Sequence, residues 1–228
     1  MKEIKQVKSI TIWIFLIPFL ALNLCLILIT QFHSLFPNQE DVLLNTIPYF
    51  DGGASISRTA RVFPTYLIFK PAMLLTSYLL IKYWIYNKKI ILNYDPNNEF
   101  ANRILFFGIG SAILLTIHSI FLGIHFDVSL YKLFRRLVIL FFIIFEIVAQ
   151  AYLVYNLYKI KDKIIGLINI NFLKLKRFLV TFLIIVAIAS IPIVSMPGYT
   201  FFKHALEWDY FLGVISFYLL TFFMWKKK

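Results

Sequence analysis

FLVTFLIIVAIASIPIVSM, residues 178–196, carries no charged side chain. Its length matches the ~20 apolar residues a helix needs to cross a hydrocarbon core about 30 Å thick. In lipid every backbone N–H and C=O must bond within the chain, so a block of this kind reads as a transmembrane helix. Five more blocks of similar length accompany it: Ile10–Thr30, Thr65–Tyr86, Ile104–Ile124, Leu137–Leu157 and, at the end, Trp208–Trp225. An outer-membrane barrel would show short segments of alternating polarity instead. The expectation is one all-α domain over residues 1–228, a bundle of six membrane-spanning helices.

Composition agrees. Of the 228 residues, 61% are hydrophobic and 15% charged, against roughly 45–50% and about 25% in soluble domains. The net charge of +12 does not indicate nucleic acid, because the cations gather at block ends rather than on one amphipathic face. They read as topology signals and contacts to anionic lipid. Cys25 is the only cysteine, which excludes an internal disulfide and a cysteine metal cage. It falls inside the first block and reads as a buried, inert thiol; Leu22-Asn23-Leu24 makes a poor lipobox before it.

Lys2, Lys5 and Lys8 precede a first block longer than a signal-peptide core, and no A-x-A site follows, so an uncleaved signal anchor is expected. Those three lysines fall on the same side as Lys82, Lys88, Lys89 and Arg103, the six cations Lys159 to Arg177, and Lys226, Lys227 and Lys228. That is sixteen of the 23 Lys and Arg, which places both termini in the cytoplasm by the positive-inside rule. Trp13, Trp84, Trp208 and Trp225 lie near block ends, where an aromatic belt belongs. The cytoplasmic connections read as basic anchors. The longest connection, residues 31–64, lies outside and holds Asn38, Asp41, Pro48, Asp51, Gly52 and Gly53, residues of turns rather than of a sheet. Gly108 and Ala112 form a small-xxx-small pair suited to close helix approach, and Pro18, Pro71 and Pro192 can kink their helices. There is no internal repeat. The Ile, Lys, Phe and Asn bias suggests an AT-rich, bacterial source and a cytoplasmic membrane, or an endomembrane in a eukaryote.

Ionisable groups at membrane depth cost about 2.5–3.5 kcal/mol on insertion scales, so each needs a partner or a wet cavity. Lys70, His118 and Glu146 are the three, at depths of about 10, 10 and 15 Å below the outer boundary at 1.5 Å per residue. Their coincidence points to a shared, outward-opening polar pocket. Gln150 follows Glu146 by one turn, His125 follows His118 by seven residues, and Arg135, Arg136, His204, Glu207 and Asp209 form a rim. Such a rim suits a phosphate headgroup, with carboxylates and histidines placed for proton transfer. Glu146, His118, His125 and Glu207 are the catalytic candidates. Lys70, Arg135, Arg136, Gln150, Trp208, Asp209, Pro48 and Asp51 are the ligand-binding candidates. The competing structural readings stay open: Lys70 snorkels, Glu146 and Gln150 bond between helices, His118 packs, and the arginines anchor lipid phosphate. No metal is expected, because His118, His125 and His204 lack ligand spacing, and no cofactor is indicated.

The order of features resembles the Frag/DRAM/Sfk family, the damage-regulated autophagy modulators and their relatives, which include membrane proteins of glycosylphosphatidylinositol remodelling. Those proteins are similar in their six helices and long first extracytoplasmic loop. The residues that carry the likeness are Pro48-Tyr49-Phe50-Asp51-Gly52-Gly53, Ser55-Ile56-Ser57, Val62-Phe63-Pro64, His125-Phe126-Asp127 and Glu207-Trp208. The Ile-Ser pair is displaced from Pro48 and Phe126 splits His125 from Asp127, so Pro48, Glu207 and Trp208 match best. The resemblance implies a lipid-linked role with membrane lipids as partners: recognition or remodelling of lipid or glycolipid from the extracytoplasmic pocket. A non-enzymatic scaffold or regulator of lipid organisation is the alternative. An ion or proton pathway is the third reading, disfavoured because the inner halves of the helices read as almost wholly apolar.

Overall fold

Each long apolar block forms a helix, and most extend past the apolar stretch into its charged flanks. The structure is a computed structural model that describes residues 2–124 and 129–226. Its long helices are α1 (Lys2–Gln31), α4 (Tyr66–Tyr94), α5 (Phe100–Phe121), α6 (Ser129–Lys159), α8 (Ile170–Ser195) and α9 (Thr200–Met224). Three short ones, α2 (Pro48–Asp51), α3 (Ile56–Ala60) and α7 (Lys161–Ile164), sit in the connections. Among the described residues there is no strand, only an antiparallel bridge between Ile168 and Trp225. Five long helices are long and apolar enough to cross a membrane: α1, α5, α6 (from Leu130), α8 and α9. α4 is as long but carries Lys70, Lys82, Lys88 and Lys89 and is not among them. The chain is therefore an all-α, multi-pass membrane protein.

The long helices follow one another around the bundle in the order α1, α4, α5, α6, α8, α9, and α9 closes against α1. Both chain ends meet at one end of the bundle, where the Lys8 ammonium donates to the Trp225 carbonyl. This is the termini end; the other, carrying residues 32–65, is the loop end. Helices continue through Pro18, Pro71 and Pro192. Gly108 lets α5 lie against α4, since a Cβ there would stand 2.3 Å from the Trp84 ring, and Ala112 beside it is fully buried. Cys25 is buried and unpaired, its thiol 3.3 Å from the Thr65 carbonyl.

Two expectations need correction. Trp84, Trp208 and Trp225 are fully buried, and Trp13 alone of the four is exposed, so the tryptophans do not form a lipid-facing belt. Their rings fill the interior: Trp84 meets Tyr83 edge-on at 4.8 Å, and Tyr83 meets Tyr218 at 5.0 Å. The second concerns the connections at the termini end, which do more than present charge. Asn169 N–H donates to Met224 O (2.8 Å), Lys226 N–H to Leu167 O (2.9 Å) and Lys163 to Tyr94 O (2.7 Å). Asn98 reaches Asn156 at 2.7 Å and Lys159 pairs with Asp95 at 2.8 Å. Lys8, Lys159 and Lys163 are thus tied, with these backbone and asparagine contacts, into a clasp that joins all six helix ends.

Candidate functional site

At the loop end, α9 holds the long connection by its side chains. Trp208 Nε1 donates to Ala54 O at 2.9 Å and packs edge-on against Tyr49 at 4.9 Å. His204 Nδ1 lies 2.9 Å from Gly52 O, and the Glu207 carboxylate lies near the backbone N–H groups of Ile56 and Ser57. Gly52 has φ +63°, and a Cβ there would stand 1.7 Å from the Phe201 carbonyl, so the loop lies directly on the first turn of α9. Pro48 is buried at the start of α2. Asp51 turns into its own loop, accepting from Thr46 Oγ1 (2.7 Å), Ile47 N (2.7 Å) and Gly53 N (2.8 Å). Trp208, Glu207, Pro48 and Asp51 thus meet in one clamp, with the polar atoms of Trp208 and Asp51 used by the chain itself. Asp209, next to Trp208, is exposed.

Slight burial works against ionisation of Asp51, but the Gly53 and Ile47 amides and the Thr46 hydroxyl outweigh it and hold its carboxyl below the usual range. A lowered folded value gives stabilisation that is present above the unfolded value and lost as pH falls through the folded one. Proteolysis at residues 42–60 is therefore expected to accelerate as pH drops below the ordinary aspartate range. Asp51→Asn should abolish that acid dependence and cut faster at neutral pH.

Deeper in the bundle, Glu146 is 1% exposed. Ser111 Oγ of α5 lies 2.7 Å from its Oε2, Gln150 Nε2 lies 3.0 Å from its Oε1, and the Tyr218 hydroxyl of α9 also bonds Oε1. Gln150 Nε2 further reaches Val214 O at 3.3 Å, while its Oε1 is buried without a hydrogen-bond partner among the described residues. One turn along α9, Thr221 Oγ1 accepts from Lys176 Nζ at 2.7 Å and stands 3.5 Å from Tyr83 OH. Lys176 is fully buried, with the Phe217 ring 3.9 Å from its ammonium.

Lys70 and His118 do not join this cluster. Lys70 donates to Ile120 O at 3.2 Å, with Tyr66 5.6 Å beneath it. Ser111, the α5 partner of Glu146, is seven residues from His118 and nine from Ile120, about 10 and 13 Å along the axis. The shared pocket of Lys70, His118 and Glu146 is therefore not formed. Counting from assumed helix mouths caused the error: α6 begins at Ser129, so Glu146 lies about 25 Å along it, whereas His118 is three residues from the end of α5. A cavity of about 250 Å³ lies instead at the termini end, lined by Glu3, Ile4, Ile90, Asn93 and Tyr94.

Arg135 is half-buried beside the Tyr131 ring at 5.9 Å, and Arg136 is exposed, both on the first turns of α6. His125 lies outside the described residues. No group of three or more His, Cys, Asp or Glu suited to a metal occurs among the described residues. Sequence reasoning missed Lys176, Thr221, Tyr83 and Tyr218. The signal was present for Lys176: Asn169 caps α8 by accepting from Asn171 N at 3.0 Å, and a cap there sets Lys176 about 10 Å inside the helix. Compared with family models, curated proteins and solved structures, the chain matches none.

Proposed function

We propose that this is a six-span membrane protein, both termini cytoplasmic, that recognises anionic lipid at its loop end. One observation carries the reading. Lys132, Arg135 and Arg136 gather on the first turns of α6, with no carboxylate paired to them among the described residues, above the exposed Leu133, Phe134, Leu137, Leu140, Phe141 and Ile144. Cations at the rim of an apolar helix face suit a phosphate headgroup with its acyl chains alongside. The sixteen cations toward the termini support the orientation. The gathering of Pro48, Glu207 and Trp208 in one clamp is in keeping with the resemblance to the Frag/DRAM/Sfk proteins.

Between remodelling and recognition, the geometry favours recognition by a non-enzymatic protein. Glu146 and Asp51 each have their carboxylate oxygens bonded by the chain, so neither stands ready beside a reacting bond. The test is native mass spectrometry after reconstitution in mixed phosphatidylglycerol and phosphatidylcholine. Retained phosphatidylglycerol should fall several-fold in Arg135→Gln/Arg136→Gln with phosphatidylcholine unchanged. Equal retention of both lipids by the parent protein would refute the reading.

A further inference from the structure

We infer that Glu146 is a proton-binding site within the bundle, holding a proton in this conformation and exchanging it with water when the bundle opens. The hydrogen count around the carboxyl carries the inference. Ser111 has one hydroxyl proton but stands at bonding length from two oxygens, 2.7 Å from Glu146 Oε2 and 2.8 Å from Gly108 O. Both contacts are satisfied together when Oε2 carries a proton and donates it to Ser111 Oγ, while Ser111 donates to Gly108 O. Oε1 then accepts from Tyr218 and Gln150, and the neutral acid has every site filled.

Among the described residues no cation bonds the carboxyl directly. From α4 the carboxyl faces Tyr83, from α5 Ser111 with His118 two turns toward the loop end, and from α9 Tyr218. From α8 comes Lys176, reached through Thr221. Along α9 the nearest other carboxyls, Asp209 and Glu207, are nine and eleven residues from Tyr218, about 13 and 16 Å. Toward the termini end polar groups continue, with Thr221, Lys176, Asn87, Asn98 and Asn156 all buried, whereas Lys70 and His118 near the loop end make no contact with the cluster. On this proposal water enters from the termini end, the side toward which these polar groups continue. On release, the O–H bond at Oε2 breaks and its proton passes to entering water. Ser111 then swings its own hydroxyl from Gly108 O to the carboxylate, changing a contact between α5 and α6; uptake reverses both steps. Ionisable residues inside a membrane bundle mark proton relays among other functions.

Infrared difference spectroscopy on the reconstituted protein tests this. The expected result is a carbonyl stretch of a protonated carboxylic acid that shifts in deuterium oxide, fades on raising the pH, and is lost in Glu146→Gln. Tyr218→Phe, which removes one bond to Oε1 and keeps the acid, should move the same band to higher frequency, securing the assignment should Glu146→Gln not fold. Absence of any such band at all pH values overturns the inference. A band that neither exchanges with deuterium nor titrates while the protein stays folded overturns it equally, because Glu146 would then be a sealed structural acid.

Discussion

Glu146→Ala is expected to cost about 2–4 kcal/mol in a detergent or bicelle unfolding experiment, among the largest losses any single change in this bundle should produce. Interhelical hydrogen bonds in membranes average only about 0.6 kcal/mol each, so the two such bonds to Glu146, from Ser111 and Tyr218, would by themselves supply roughly 1 kcal/mol. Truncation does more than delete them. It strands the Tyr218 hydroxyl and the Gln150 amide in a dry interior, and a buried donor without an acceptor costs about 1–3 kcal/mol. Gln150 keeps Val214 O and Ser111 keeps Gly108 O, which limits the total. Glu146→Gln should lose less than about 1 kcal/mol, because its amide can donate to Ser111 Oγ and its carbonyl can accept from Tyr218 and Gln150. Similar losses for the two variants would mean that side-chain volume, not hydrogen bonding, holds α5, α6 and α9 together here.

Trp208→Ala should cost about 3–5 kcal/mol, the range for removing a fully buried large aromatic. Trp208 is 0% exposed and supports the loop in two ways, by its bond to Ala54 O and its edge contact with Tyr49. Its loss should therefore also free residues 42–60 to protease before the helices unfold. Trp208→Phe keeps most of the packing and drops the indole donor, so its cost should stay near 1 kcal/mol. A loop equally protected in Trp208→Ala and the parent protein would show that His204 and Glu207 suffice to hold it.

How much of this was legible beforehand follows from the physics of each signal. Helix existence rests on uninterrupted apolar length, which a sequence displays directly, and every block became a helix. Helix ends were less legible, because lysines at a membrane surface continue a helix as readily as they end it; α1 begins at Lys2 rather than Ile10. That uncertainty passed straight into the depth estimates and produced the false meeting of Lys70 and His118 with Glu146. Glu146 and Gln150 were recognisable, since a carboxylate in an apolar run needs a partner wherever it sits. Their actual partners, Ser111, Tyr218 and Val214 O, come from other helices and depend on rotation about the helix axes, which hydropathy does not encode. Lys176 was hidden for the opposite reason: two neighbouring cations, Lys174 and Arg177, made it resemble one more surface charge.

Sidedness of labelling on either side of α4 tests the account most directly, because α4 is the long helix whose lysines leave its crossing open. Cys25 is buried, so single cysteines introduced as Leu44→Cys, at a position 71% exposed, and as Asp162→Cys, in α7, can be read with a membrane-impermeant maleimide in intact cells. Six crossings predict labelling of Leu44→Cys from outside and of Asp162→Cys only after permeabilisation. Labelling of both from the same side would mean that α4 does not cross, and would contradict the account.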